Sequence, residues 1–347
     1  MERYLSWVVL LTTAMSLIAC GSSSGTISNT DIIEDAAETT TIVDVVADPA
    51  SFAVDTSRFD LASLETIEEV DCVLTNGATT TCYDITVSGF PSDRDELGYF
   101  CPANSTTGAD QAGKWFDNGV LYDLTGEFIA NLSTFYNDDM WDLLNDDGTV
   151  RITDNAQDCQ DAANPNVPPE LNNHCVVCEI EYFTSGLSGD GVSFSITIPS
   201  QPVPRDSGNG AITTPGVAFN GVKLEAAAPV EAILGAYTIA AFDDCVGHVN
   251  PFEGYHYHGA NHGDGDCPVI EFESDGHAGA FGYALDGYMI YGMLDENGEE
   301  STDLDECRGH TDDVRGYHYH SAGPGENAFI GCYRGEIAQS ENTGIRP

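Results

Sequence analysis

From about residue 191 the chain alternates apolar and polar positions with period two, the spacing of strands with one buried face. Val192-Ser-Phe-Ser-Ile-Thr-Ile198 does so cleanly. Gly216-Val-Ala-Phe-Asn220-Gly221-Val-Lys-Leu224 and Gly282-Tyr-Ala-Leu-Asp286-Gly287-Tyr-Met-Ile290 each read as two short apolar strands around a turn, with Asn220 and Asp286 as turn formers. Asp295-Glu-Asn297-Gly298 marks a further hairpin. Before residue 191 the pattern is mixed. The stretch from Cys72 to Cys82 predicts a hairpin around Asn76-Gly77, whose three-residue loop sets Cys72 opposite Cys82. Phe128, Ile129, Leu132, Phe135 and Tyr136 share one helix face, with Glu127 in its first turn. Trp141 to Ile152 predicts another hairpin, with Asp146 and Asp147 as turn residues beside Gly148. The proline-rich stretch 164–169 breaks the chain into loop. The expected fold is mainly β, an α+β chain with few helices: an internally duplicated β module of short strands, hairpins and long loops.

The N-terminus departs from this pattern. Residues 4–19 form an apolar run ending in Leu17-Ile18-Ala19-Cys20, too short for a permanent membrane span. Residues 20–66 are rich in Ser, Thr, Asp and Ala without a clear period and read as a flexible acidic tether, part of which can serve as an edge strand. Residues 67–185 make an N-terminal, disulfide-containing lobe and 186–340 the duplicated module, either as two lobes or as one compact unit.

Charge and cysteine count narrow the class. Fifty-seven acidic residues face 11 basic ones, for a formal net charge of −46. The excess is spread along the chain as a solvated surface, and no basic patch is present, which argues against nucleic-acid binding. Of 11 cysteines, ten remain besides Cys20, enough for five disulfides in an exported protein. Cys72 pairs with Cys82 across the first hairpin. The symmetry of the repeat pairs Cys245 with Cys267 and Cys307 with Cys332. Cys101, Cys159, Cys175 and Cys178 are left over. His174-Cys175-Val-Val-Cys178 has redox or zinc spacing, but in an oxidising compartment it reads first as two structural half-cystines.

The candidate chemistry lies in a repeat. Cys245-Val-Gly247-His248, five residues, then Gly254-Tyr-His256-Tyr-His258 returns 62 positions later as Cys307-Arg-Gly309-His310, five residues, then Gly316-Tyr-His318-Tyr-His320. In a strand, His256 and His258 share one face and the tyrosines the other, with the two histidine backbones about 6.5–7 Å apart. His318 and His320 offer the same arrangement. Packed about a pseudo-two-fold axis, the four imidazoles meet, with His248 and His310 nearby as ligands or as donors that orient them. Such a set suits a transition metal, zinc or copper first, and not calcium or magnesium. The alternative is a hydrogen-bonded scaffold of histidines and tyrosines. No HExxH, nucleophile elbow, EF-hand or nucleotide loop is present, so no nucleotide cofactor and no particular reaction is implied.

Two resemblances follow. Residues 1–20 resemble a bacterial lipoprotein signal with its lipobox. This implies cleavage before Cys20, lipidation of its thiol and anchoring of an exported chain to a membrane, at the outer membrane or cell surface in a Gram-negative host. Glu2 beside Arg3 makes its charged end weak. FNGV, DDC-x-GH, YHYHG, GYALDGYMIYG, LDEC-x-GH, YHYH and FIGCYRG resemble the YHYH-domain proteins, closely over about 190–335 and more loosely over 98–183. That family carries no established activity to transfer. The functional expectation is an exported, lipid-anchored surface protein that binds a transition metal through its histidines. The alternatives are a metal-dependent hydrolase or oxidase and a structural or adhesive surface protein. Protein and glycan partners are left open.

Overall fold

The computed structural model describes residues 52–153, 155–162, 173–179, 192–209, 212, 214–250 and 253–339. The expected signal segment 1–19, the lipidation site Cys20, the tether up to residue 51 and the 164–169 loop lie outside the described residues. All described residues fall in one compact unit, Val46–Pro347. No described helix is long and apolar enough to cross a membrane.

The fold is mostly β. Strands β1 (Leu64–Val73) and β2 (Thr79–Val87) form the first hairpin, and β3 (Lys114–Asp117) and β4 (Val120–Asp123) a second. Short helices α1 (Gly126–Ala130), α2 (Leu132–Phe135) and α3 (Ala156–Ala162) follow, then β5 (Cys175–Val176). Strands β6 (Phe194–Pro199) and β7 (Pro204–Asn209) lead into β8 (Gly216–Ala218) and β9 (Lys223–Leu224). Helix α4 (Val230–Gly235) precedes β10 (Ile239–Ala240), β11 (Gly247–Asn250) and β12 (Gly254–Tyr257). The second copy supplies β13 (Ala280–Ala284), β14 (Met289–Tyr291), β15 (Gly309–Asp312) and β16 (Gly316–His320), and β17 (Tyr333–Gly335) closes the series.

One sheet organises the module. Its order, β11-β12-β9-β8-β13-β14-β16-β15, reads as a palindrome about the β8/β13 contact. Those strands run antiparallel with Gly216 opposite Ala284, Val217 opposite Tyr283 and Ala218 opposite Gly282. The register obeys a pseudo-two-fold axis that passes between Val217 and Tyr283. On each side the motif strand pairs parallel with the short apolar strand (β12 with β9, β16 with β14) and antiparallel with its hairpin partner. The turns at Gly221 and Gly287 both have φ near +86°, a conformation open to glycine at no steric cost.

Several expectations change. Cys72 lies opposite Thr80, not Cys82, because the turn closes from Leu74 to Ala78; the Cys72–Cys82 disulfide is therefore diagonal. The predicted helix face over 125–136 splits at Asn131 into α1 and α2, although Thr125 caps the start by accepting from the Phe128 amide at 3.1 Å. The hairpin expected over 141–152 does form around Gly148 at φ +82°, but it is short: Leu144 lies opposite Val150, and the Asn145 and Arg151 amides bond to the Thr149 and Leu143 carbonyls at 2.8 Å. Residues 52–66 are not tether: Val54 and Phe59 are buried against Ile85, Ile196 and Val217, and β1 begins at Leu64 on a sheet edge. A domain boundary at 185/186 finds no break in the packing. Strand β6 pairs with β2, β10 pairs with β5, and one core cluster joins Trp115 and Phe116 to Ala228, Ile239 and Phe242.

Candidate functional site: two histidine clusters

The motif is built twice on the same plan. Asp243 Oδ1 accepts from the Cys245 and Gly247 amides at 3.0 Å; Asp305 Oδ1 accepts from those of Cys307 and Gly309 at 2.9 and 3.1 Å. The residue between cysteine and glycine is left-handed in both copies, Val246 at φ 60° and Arg308 at φ 66°. Its carbonyl accepts from the amide of the last motif histidine, His258 or His320. The first tyrosine of each motif reaches back to that aspartate, Tyr255 to Asp243 at 2.6 Å and Tyr317 to Asp305 at 3.0 Å. A Cβ on Gly247 or Gly309 would meet the tyrosine hydroxyl, which explains the glycine of the spacing. The second tyrosine bonds to the turn former of the preceding strand pair: Asn220 donates to Tyr257, and Tyr319 donates to Asp286 at 2.6 Å. Asp286 is thus a fully buried partner of Tyr319 on the tyrosine face, its carboxyl raised to about 6 by burial.

The histidines occupy the other face, in two separate clusters. The first brings together His248, His256 and His258; the second brings together His277, His310, His318 and His320. The four motif histidines His256, His258, His318 and His320 do not meet at one point. Strands β12 and β16 stand five strand spacings apart in the sheet, about 24 Å. His277 has no counterpart in the sequence repeat: its place in the first copy falls on Ala211. Repeat-based reasoning therefore passes over it. The only sequence signal for His277 is a histidine close before β13. Asp243 and Asp305, each two residues before its cysteine, were visible in the repeat but were not assigned a role there.

Hydrogen bonding fixes the tautomers. His256 Nδ1 lies 3.0 Å from Gly254 O and His258 Nδ1 2.7 Å from Ala226 O. His318, His320 and His277 repeat this with Gly316, Gly292 and Ala278 oxygens at 2.8–2.9 Å. His310 Nδ1 faces the Asp303 carboxylate at 2.8 Å. A carbonyl or carboxylate only accepts, so each of these Nδ1 atoms carries the proton. Each Nε2 of a neutral ring then presents a lone pair. Those lone pairs converge. His256 Nε2 is 3.1 Å from Nε2 of both His248 and His258. In the second cluster the His277–His318, His310–His318 and His310–His320 Nε2 separations are 3.1, 3.0 and 3.2 Å. For His256–His258, His277–His318, His310–His318 and His310–His320, where both rings are fixed in this way, no proton remains to lie between the two neutral nitrogens; His248 is not fixed through Nδ1 in this way.

Protonating a ring would relieve the conflict, but burial opposes it. Burial holds His248 and His256 well below the usual histidine range, His258 and His320 at about 4 and His318 at about 3. Neutral imidazoles oriented by Nδ1–H···O bonds with Nε2 atoms turned to a common point are a ligand set for a transition metal. A tetrahedral ion with nitrogen ligands at about 2.0–2.1 Å places them about 3.3 Å apart, close to the spacing seen here.

The two sites differ in their surroundings. Phe242 packs on His248 and His258 with ring centroids 4.7 and 5.5 Å away. Lys223 holds Glu225 at 2.5 Å and also contacts Glu253. In the second copy Tyr291 packs on His277 and His318 at 4.8 and 4.9 Å. Arg315 there is held by Asp275 at 2.5 Å and by Asp312.

All ten described cysteines are paired: Cys72–Cys82, Cys101–Cys175, Cys159–Cys178, Cys245–Cys267 and Cys307–Cys332. Cys175 and Cys178 are bonded to different partners, so the Cys-x-x-Cys spacing is structural. No curated protein and no solved structure matches the chain significantly. Residues 195–303 match the family model described as YHYH protein, a span that holds the first motif and His277. With that match and the motif built twice on one symmetric sheet, the chain carries a YHYH domain.

Proposed function

We propose that this chain is an exported, lipid-anchored surface protein whose duplicated module binds two transition-metal ions, one in each histidine cluster. The observation that carries the reading is the fixed tautomer pattern in His256, His258, His277, His310, His318 and His320: Nδ1 protons committed to carbonyl or carboxylate oxygens, and Nε2 lone pairs 3.0–3.2 Å apart with no donor between them. A hydrogen-bonded scaffold does not satisfy those nitrogens; a cation does. Zinc and copper suit an all-imidazole set best. Five disulfides agree with an oxidising compartment, and the lipobox ending at Cys20 supplies the export and anchoring part of the reading.

Elemental analysis of the exported, full-length chain without a histidine tag tests the metal part. The expected result is about two equivalents of zinc or copper per chain. His256→Ala/His258→Ala and His310→Ala/His318→Ala should each remove one. A wild-type chain that holds no metal after incubation with each ion would overturn the reading. Lipid anchoring is tested separately: Cys20→Ser should move the chain from the membrane to the soluble fraction.

A further inference from the structure

The repeat is symmetric in backbone but not in ligand count. Four histidines close the second cluster, whereas the first has three mutually close donors among the described residues. The position equivalent to His277 is Ala211, a side chain with no ligand atom. Two further equivalent positions have diverged. Glu225 stands where the second copy has Tyr291, and Glu253 where it has Arg315. In the second copy Tyr291 packs against the cluster; in the first, Glu225 and Glu253 border a cavity.

That cavity has a volume of about 380 Å³, and His248, His256 and His258 all form part of its wall. The size suits a small organic molecule. Glu225 and Glu253 line it beside the histidines, and Ala228, Ala232 and Ile233, from α4 and the segment before it, give it an apolar side. The cavities that flank the second cluster have none of its histidines in their walls. Four protein ligands complete a tetrahedral site and make it structural; three leave a position for an exogenous ligand.

We infer that the first cluster is an exchangeable-ligand metal centre: three histidines hold the ion, and the remaining position, reached from the cavity, takes a small molecule with a nitrogen or oxygen donor on an apolar body. The inference rests on the metal-binding reading above. Glu225 and Glu253 accept hydrogen bonds from the N–H or O–H groups of that ligand, while the alanine-lined wall covers its apolar part. The second cluster holds its ion closed and serves the fold.

The test uses the full chain loaded with cobalt(II), whose visible spectrum reports coordination. Bound cobalt is counted first, and azide and imidazole are then titrated as probes. The expected result is two cobalt ions per chain, with a saturable spectral change from one of them. His310→Ala/His318→Ala keeps that change and His256→Ala/His258→Ala loses it. Ala232→Trp places a large side chain at the cavity wall from an exposed position, so the fold tolerates it. It should keep both cobalt ions and weaken azide binding at least ten-fold. This comparison decides the matter even if a double histidine variant fails to fold. Bound cobalt whose spectrum neither probe moves, or a change unaffected by Ala232→Trp, would overturn the open site while leaving metal binding intact. Absence of bound cobalt would instead overturn the metal reading, and the inference with it.

Discussion

An oxygen beside the Nδ1 of six of the seven clustered imidazoles, a carbonyl for five and the Asp303 carboxylate for His310, decides the chemistry at the residue scale. Gly254 O and Ala226 O take the Nδ1 protons of His256 and His258, and burial keeps the rings neutral. Without metal this arrangement costs stability in acid. In the unfolded chain histidines charge near pH 6.5; in the folded apoprotein His258 and His320 charge at about 4 and His318 at about 3. Between those values the unfolded state binds more protons than the folded one, so stability rises with pH and falls as pH drops. The metal-free chain should therefore lose urea midpoint progressively from about pH 6.5 to 4. His256→Gln/His258→Gln should flatten part of that slope, because the carboxyls are unchanged between the two proteins. An equal slope in both would mean the buried histidines do not govern the loss. His277 shows why residue-level legibility was incomplete. The six motif histidines could be found by their spacing, but His277 enters the second cluster from outside the repeat, by tertiary approach alone.

At the element scale the motif is a strand-pairing device. Gly309 on β15 leaves the space that the Tyr317 hydroxyl and ring fill from β16, and Tyr317 in turn reaches Asp305. Gly309→Ala must displace that ring, a clash in a packed site that costs about 1–3 kcal/mol. Gly298, at φ 76° in a turn with nothing near its absent Cβ, is the control. Gly298→Ala should cost only the left-handed penalty, about 1 kcal/mol. Thermal unfolding of the two variants gives the comparison, and a smaller loss at Gly309 than at Gly298 would refute the packing argument. Strand alternation was readable in sequence: β6 follows the apolar-polar pattern, and both glycine turns of the module fall where predicted. Register was not readable, because one residue's difference in turn closure moves every partner. Cys72 therefore meets Thr80 although it bonds to Cys82. The break between α1 and α2 was hidden for a related reason: apolar spacing survives a kink at Asn131, whose own side chain bonds back to Glu127 O.

For the whole molecule, the duplication could be read from the chain but the position of its axis could not. Spacing says that two copies exist; only the β8/β13 contact places the axis between Val217 and Tyr283 and sends the clusters to opposite flanks of the sheet. The core does not respect the copies. Cys245, Tyr255 and Tyr257 of the first share one cluster with Cys307, Tyr319 and Cys332 of the second, and Phe242 beside the first site belongs to the core of Trp115 and Trp141. A metal ion bound at either flank therefore stabilises one cooperative unit rather than half of one. Binding to the folded state alone adds about 4 kcal/mol at a free metal concentration of 1,000 times Kd. Chelation should lower a single calorimetric transition as a whole. His310→Ala/His318→Ala should lower it by less than full chelation, without splitting it. Two separated transitions in either sample would show that the copies unfold independently, and the shared core would then not couple the two sites.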